Sequence, residues 1–236
     1  MCYYWVMILR YADPEAIKLQ DCARHGTDYD NELFLVEGDS AASNVSKVRN
    51  TELQAVLPMQ GKPINAHKAS AKRVLANYWF KAFIEAAGCG TGEHCRTERL
   101  RYQRIMLLFD PDADGIHCGA LLLIFLHRHM PALLREQKIW MVRPPLFRVT
   151  TPALPEPVYA ASQMHYEHIM KQLSARQVNN VQTLRYRGLG SLEAELLIDR
   201  CVHPATRQAD LMGERDAQMA LSVFGGLTPG AGLADD

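Results

Sequence analysis

The sequence predicts an α/β fold with a largely parallel sheet flanked by helices, and three observations carry that expectation. Glu32 to Val36 (Glu-Leu-Phe-Leu-Val) is a short apolar run that ends abruptly at Glu37-Gly38-Asp39-Ser40, as a buried strand does on meeting a loop. Ile105 to Phe109 repeats the pattern and runs at once into Asp110-Pro111-Asp112-Ala113-Asp114-Gly115. Helical patterns follow both runs, and strands alternating with helices build parallel sheets through crossover connections.

Along the chain, residues 1–30 read as a lead segment. The run from Cys2 to Leu9 lacks the basic start and small-residue cleavage site of a signal peptide. A core domain is expected over residues 31–150. Within it, Asp39 through Asn44 is rich in small and capping residues and suits a helix start. Ser70 to Ala87 carries Val74, Ala76, Phe80, Phe83 and Ile84 at the spacing of one helix face. Gly119 to Leu134 reads as one long, mostly buried helix, and Lys138 to Val142 as a third strand, broken by Arg143-Pro144-Pro145. The three prolines between Thr150 and Pro157 mark a boundary. Residues 151–222 are expected to form a mainly helical C-terminal region packed on the core domain. It would hold helices over Gln163 to Leu173 and Ser191 to Cys201, with the loop Tyr186-Arg187-Gly188-Leu189-Gly190 between them. Residues 223–236, with Gly225-Gly226 and Pro229-Gly230, read as a disordered tail.

Composition narrows the function classes. At 236 residues the chain can form one large domain with a smaller appendage, and 48% hydrophobic with 22% charged residues is an ordinary globular balance. The 26 basic residues offset the 26 acidic ones, so a nucleic-acid surface has to be a local patch. Arg96, Arg99, Arg101 and Arg104 form a basic stretch that reads as a solvated face rather than such a patch. Apolar stretches such as Ala120 to Leu126 fall far short of the roughly 20 residues that span a bilayer, so no membrane partner is expected. Six scattered cysteines without a CxxC pair argue for reduced thiols and a cytoplasmic location. Cys89, His94 and Cys95 resemble half of a zinc site, but no second pair of ligands completes it.

The carboxylates carry the chemistry. In open α/β sheets ligands gather beyond the carboxyl ends of strands, and here two strands both end in acids that can meet at one edge. Asp110, Asp112 and Asp114 at alternate positions resemble the opening of an EF-hand. That loop needs a glutamate at its twelfth position, which is Leu121 here, and a preceding helix rather than a strand. A solvated loop whose aspartates turn the chain and cap the next helix is the plain structural alternative. The chemical alternative is magnesium, which takes oxygen donors, keeps waters and bridges to phosphate. Two such ions can stabilise both the attacking and the leaving oxygen of phosphoryl transfer, and a nearby glutamate can handle a proton.

The flanking motifs are more specific. Glu37-Gly38-Asp39-Ser40-Ala41, Gln54-Ala55-Val56-Leu57-Pro58, Gly61-Lys62 and Asn65 resemble the start of the TOPRIM region in bacterial type IIA topoisomerase B subunits, those of gyrase and topoisomerase IV. Asp110-Pro111-Asp112-Ala113-Asp114-Gly115-Ile116-His117 is similar to that family's DxDxDGxH. Leu100-Arg101-Tyr102, Pro144-Pro145-Leu146-Phe147, Arg185-Tyr186-Arg187-Gly188-Leu189-Gly190 and Lys18-Leu19-Gln20-Asp21-Cys22 extend the resemblance from about Lys18 to about Arg207. Other TOPRIM proteins share only the glutamate and the aspartates.

The resemblance implies a Rossmann-like TOPRIM fold that binds magnesium, with two metal positions possible and manganese able to substitute. Glu37, Asp110 and Asp112 would be catalytic metal ligands, and Asp114 would support the second position. Lys62 and Asn65 match positions that contact double-stranded DNA. Arg49 and His117 also fall on family positions, with helix-start packing as the competing role for His117. The implied activity is that of a B-subunit-like, ATP-hydrolysing type II DNA topoisomerase, paired with an A subunit that supplies the nucleophilic tyrosine. The family's ATPase and transducer domains do not fit in the residues before Lys18. The chain is therefore expected to hold no ATP site and to depend on a partner for the tyrosine. Two alternatives remain: a non-catalytic regulator of the A subunit or its DNA complex, and a stand-alone TOPRIM nuclease. Departures from the family pattern lie at Ala42-Ser43, where two glycines are usual, and at Thr51, Pro111 and Gly119.

Overall fold

The computed structural model describes residues 17–226. Much of the lead segment, and the tail from residue 227, lie outside those residues. Five strands form the main sheet: β1 (Glu32–Glu37), β2 (Gln54–Met59), β3 (Arg104–Leu108), β4 (Ile139–Val142) and β8 (Ala209–Leu211). Their order is β2-β1-β3-β4-β8, parallel except for the last pair. The expected α/β architecture with a largely parallel sheet is what the chain adopts. β1 and β3 are direct neighbours, with Val36 opposite Leu108, so both acidic strand ends arrive at one edge.

Strand alternation explains the layers. Leu33, Leu35, Leu57, Ile105 and Leu107 face one side, where they pack with α3 (Tyr78–Ala87), α4 (Ala113–His129), α5 (Pro131–Arg135) and α8 (Glu214–Phe224). Phe34, Val36, Val56, Met106 and Leu108 face the other, against α1 (Gly38–Val48) and Tyr186, Leu189, Leu197 and Cys201 from the C-terminal region. With both faces covered, the strands are buried on each side, which is why they read as unbroken apolar runs.

Several elements differ from expectation. The periodic stretch over Ser70 to Ala87 is two helices, α2 (Ala71–Leu75) and α3, because the Asn77 side chain accepts from the amides of Trp79 and Phe80 and starts a new helix. The long helix begins at Ala113, inside the acidic motif, and stops at His129. Pro131 then opens α5 as a separate turn. β2, which is not among the expected strands, contains Pro58. It lies at the sheet edge, where a missing N–H is tolerated, and Gln20 bridges to Val56 beside it.

The C-terminal region contributes strands as well as helices. Its β6 (Val158–Ala160) and β7 (Gln182–Arg185) pair antiparallel with β5 (Phe147–Thr150), the last strand of the 31–150 span, and α6 (Gln163–Ala175) packs on this small sheet through Ile169 and Leu173. α7 (Ala194–Leu197) runs into a π-helical turn over Ile198–Val202. Val223 and Phe224, placed in the disordered tail by sequence, end helix α8. Arg101 and Arg104 are not on a solvated face: they pair with Asp21 and with Asp30 and Glu32, leaving Arg96 and Arg99 exposed.

Candidate metal centre

The site forms where β1 and β3 end side by side. After Glu37 the chain enters α1 directly, through Gly38 at φ +77°, a conformation glycine adopts at little cost. After β3, Asp110 leads to Asp112, whose side chain accepts from the Gly115 amide at 2.9 Å and caps α4. The first turn of α4 folds back onto Asp110 so closely that a Cβ on Gly115 would lie 2.0 Å from the Asp110 carbonyl oxygen. The glycine of the acidic motif is thus a steric requirement. Two helix N-termini, with their partial positive charge, point toward the carboxylates.

Glu37 is the one of these four acids with a buried oxygen that has no hydrogen-bond partner. The residue is half-buried, and that oxygen is its Oε2. Burial, then the charges of Asp110, Asp112 and Asp114, push its carboxyl above the ordinary range, against a smaller pull from Lys62. Burial also raises Asp110, and Asp112 adds to this, although the Leu189 amide donates to Asp110 Oδ1 at 2.8 Å and pulls the other way. Asp114 is exposed and held low by Lys62, whose Nζ lies 2.6 Å from Oδ1. Cys118, one helical turn further along α4, is buried. Burial first, and then the Glu37 charge, push its thiol up to about 11.

The acids share one electrostatic neighbourhood without closing into a tight ligand set. Among the described residues, a group of three ligand-type side chains with donor atoms all within 4.8 Å occurs instead at Asp21, Cys22 and His25. That space already holds a cation: Arg101 Nη2 pairs with Asp21 and lies 3.4 Å from His25 Nε2, and the Tyr102 hydroxyl donates to Asp21 at 2.7 Å. The acidic cluster is looser because Asp112 turns to its helix cap and Asp114 to Lys62, as carboxylates do when mutual repulsion is unscreened.

The residues matched to DNA contacts scatter. Lys62 stands beside the carboxylates. The Asn65 side chain donates to the Phe224 carbonyl at 2.8 Å and accepts from the His67 amide at 2.9 Å, so it joins its own loop to the end of α8. The His117 ring lies tilted against the same Phe224, with centroids 5.1 Å apart. Arg49 is half-buried at the far end of α1 and donates to the backbone carbonyls of Asp21, at 2.9 Å, and Gln54. Of the departures from the family pattern, Ala42 is 1% exposed in the core, and Gly119 sits where a Cβ would lie 3.0 Å from Met141. The Tyr186 to Gly190 motif is visible in the sequence, but nothing in its residues signals that its backbone reaches Asp110.

The Toprim domain family model matches residues 32–144, the span that contains the main parallel strands and all four acids. Residues 32–144 are a Toprim domain. Over a longer stretch, the chain is 35% identical across 207 residues to the DNA gyrase B subunit of Metamycoplasma hominis, covering 88% of this chain and 31% of that protein. It is 42% identical over 154 residues to the type 2 topoisomerase B subunit of Aquifex aeolicus, covering 65% of this chain and 19% of the other. It is 34% identical over 190 residues to the DNA topoisomerase 4 B subunit of Rickettsia felis, covering 80% and 28% respectively. The chain spans less than a third of the length of these relatives. Its Toprim domain and C-terminal region are thus of the type IIA B-subunit kind. Among the described residues, no helix is long and apolar enough to cross a membrane.

Proposed function

We propose that the Toprim domain binds magnesium through Glu37, Asp110 and Asp112, with Asp114 at a second metal position. In this reading it supports cleavage and religation of double-stranded DNA together with an A subunit that carries the nucleophilic tyrosine. One observation carries the proposal: a buried Glu37 oxygen with no partner, set among three aspartates whose charges oppose its ionisation. An unpaired buried acceptor costs free energy that a cation recovers, and an all-oxygen donor set suits magnesium, with manganese as its substitute. When bound, such an ion neutralises phosphate charge and stabilises the charge that develops on the reacting oxygens.

The chain's own residues prepare that chemistry. Asp112 is oriented by its helix cap and Asp110 by the Leu189 amide. Lys62 lies on the exposed side of Asp114, where a DNA phosphate can take over its charge and fix register. Asn65 and His117 frame the same approach through their shared neighbour Phe224, while Arg49 is committed to two carbonyls. The proposal places the protein in the cytoplasm, on the nucleoid.

The test is a cleavage reaction with the cognate A subunit, plasmid DNA and magnesium. Covalent protein–DNA adducts are expected, and Glu37→Ala should abolish them. Adducts of undiminished yield with that variant would overturn the assignment. Association with the A subunit in the absence of cleavage would favour a regulator, and nicking without any A subunit a stand-alone nuclease.

A further inference from the structure

The Asp110 carboxylate rests on a loop from outside the Toprim match. Leu189 donates its amide to Oδ1 at 2.8 Å, across a separation of 79 residues. Beside it, Gly188 adopts φ +148°, and a Cβ there would lie 2.4 Å from Oδ2, 2.8 Å from Cγ and 3.0 Å from Oδ1. No L side chain fits between this backbone and the carboxylate, so contact depends on glycine both for space and for conformation.

The loop is itself fixed. The Ser191 hydroxyl donates to the Gly188 carbonyl at 2.7 Å and accepts from the Arg187 amide at 3.0 Å. The Tyr186 amide donates to the Leu146 carbonyl at 2.9 Å, and its ring is 3% exposed. Leu189 is fully buried in the cluster that contains Val36 and Leu108, which lie one and two residues before Glu37 and Asp110. A loop anchored in the same core as both strand ends can hold a side chain to a single orientation.

We propose that the Gly188–Leu189 turn is a positioning element that holds the Asp110 carboxylate ready to bind a divalent cation, so that the C-terminal region completes a site whose ligands all lie in the Toprim domain. The inference rests on the metal-binding reading above. A loop amide occupies part of one oxygen and a bare Cα backs the carboxylate, which leaves its remaining lone pairs for the ion. Partners of this kind hold ligand geometry, and their loss typically weakens metal binding by about 10–100-fold.

The test uses the full chain and Mn2+ as the probe, with free ion followed by electron paramagnetic resonance and Mg2+ as competitor. Gly188→Ala is expected to weaken Mn2+ binding at least about tenfold. Gly190→Ala is the control, because a Cβ there meets nothing within 4 Å, and it should bind as the wild type does. Ser191→Ala, which removes both loop-fixing side-chain bonds and introduces no steric conflict, keeps the question open to measurement should Gly188→Ala fail to fold. It should weaken Mn2+ severalfold with its melting temperature nearly unchanged, a split that a merely structural loop would not produce. Wild-type affinity in a folded Gly188→Ala protein, or in Ser191→Ala where that is the variant read, overturns the positioning role alone. If the wild-type chain binds no Mn2+ that Glu37→Gln can abolish, the metal-binding reading fails, and the positioning role with it.

Discussion

Glu32 lies on the same strand as Glu37, and removing its carboxylate tests how this chain handles a buried acid. Its side chain is 1% exposed and is shared by Arg207, by Arg104 Nε at 3.0 Å and by Gln54 Nε2 at 2.9 Å. Burial alone pushes the carboxyl up, but the hydrogen bonds and charge of Arg207, followed by Gln54 and Arg104, outweigh it and hold the group below its ordinary range. The Arg207 side chain is only 6% exposed, so Glu32→Ala strands its charge in the core, whereas Arg104 keeps Asp30. Breaking a buried pair on one side costs about 3–5 kcal/mol. At about 2–4 °C per kcal/mol for a domain of this size, the melting temperature should fall by roughly 6–20 °C. The assay is thermal and urea denaturation followed by circular dichroism, on Glu32→Ala, Arg207→Met and the double variant Glu32→Leu with Arg207→Met. The double variant should recover much of the loss, because two apolar groups leave no charge unpaired. A loss below about 1 kcal/mol for Glu32→Ala, the value of an exposed pair, would refute the reasoning. So would a double variant no more stable than Arg207→Met alone.

Three further outcomes are expected. The raised carboxyl of Glu37 means that the folded state binds its proton more tightly than the unfolded chain does, so its contribution favours folding at low pH and is lost as pH rises from 4.5 through the folded value. Glu37→Gln should therefore raise the melting temperature of the metal-free protein at about pH 7 by a few degrees and change little near pH 4, and equal melting at neutral pH would contradict this. Phe125, fully buried and stacked on Phe80 at 4.1 Å, should cost about 3–5 kcal/mol as Phe125→Ala in urea denaturation. Lys62→Ala should leave melting unchanged but weaken DNA binding and lower the salt slope of log affinity by about 1, measured by fluorescence anisotropy, and an unchanged slope would remove Lys62 from the DNA contacts.

The sequence made β1, β3 and their acidic ends legible because a strand buried on both faces shows as an apolar run, and the carboxylates that stop it are conspicuous. β2 was hidden by Pro58, whose strand-breaking effect disappears at a sheet edge. The stretch from Ser70 to Ala87 kept one apolar face through a helix break, since α2 and α3 pack on the same core, and only the Asn77 cap betrays the interruption. β5 to β8 have three or four residues each, too short for a period to register. At the site, residue types were legible but their present partners were not. Nothing in the spacing says that Asp114 turns to Lys62, that Asn65 holds the end of α8, or that a backbone amide from residue 189 reaches Asp110.

Two glutamates on one strand receive opposite treatment. At the start of β1, Glu32 is given two guanidinium groups and an amide, drawn from three separate segments. At its end, Glu37 is given a buried oxygen with no donor and three aspartates as its neighbours, with Lys62 as the lesser, opposing charge. Among the described residues, Glu37 Oε2 is the one carboxylate oxygen buried without a partner; the other such atoms belong to hydroxyl, indole, imidazole and guanidinium groups. The N-termini of α1 and α4 offset some of the repulsion, at roughly 0.3–1 kcal/mol for each favourable charge, which is too little to balance several clustered carboxylates. Glu32 shows that this fold can satisfy a buried glutamate from within when stability is what the position serves. The deficit at Glu37 supports the cation site proposed above, where two strand ends and a C-terminal loop bring oxygen donors together.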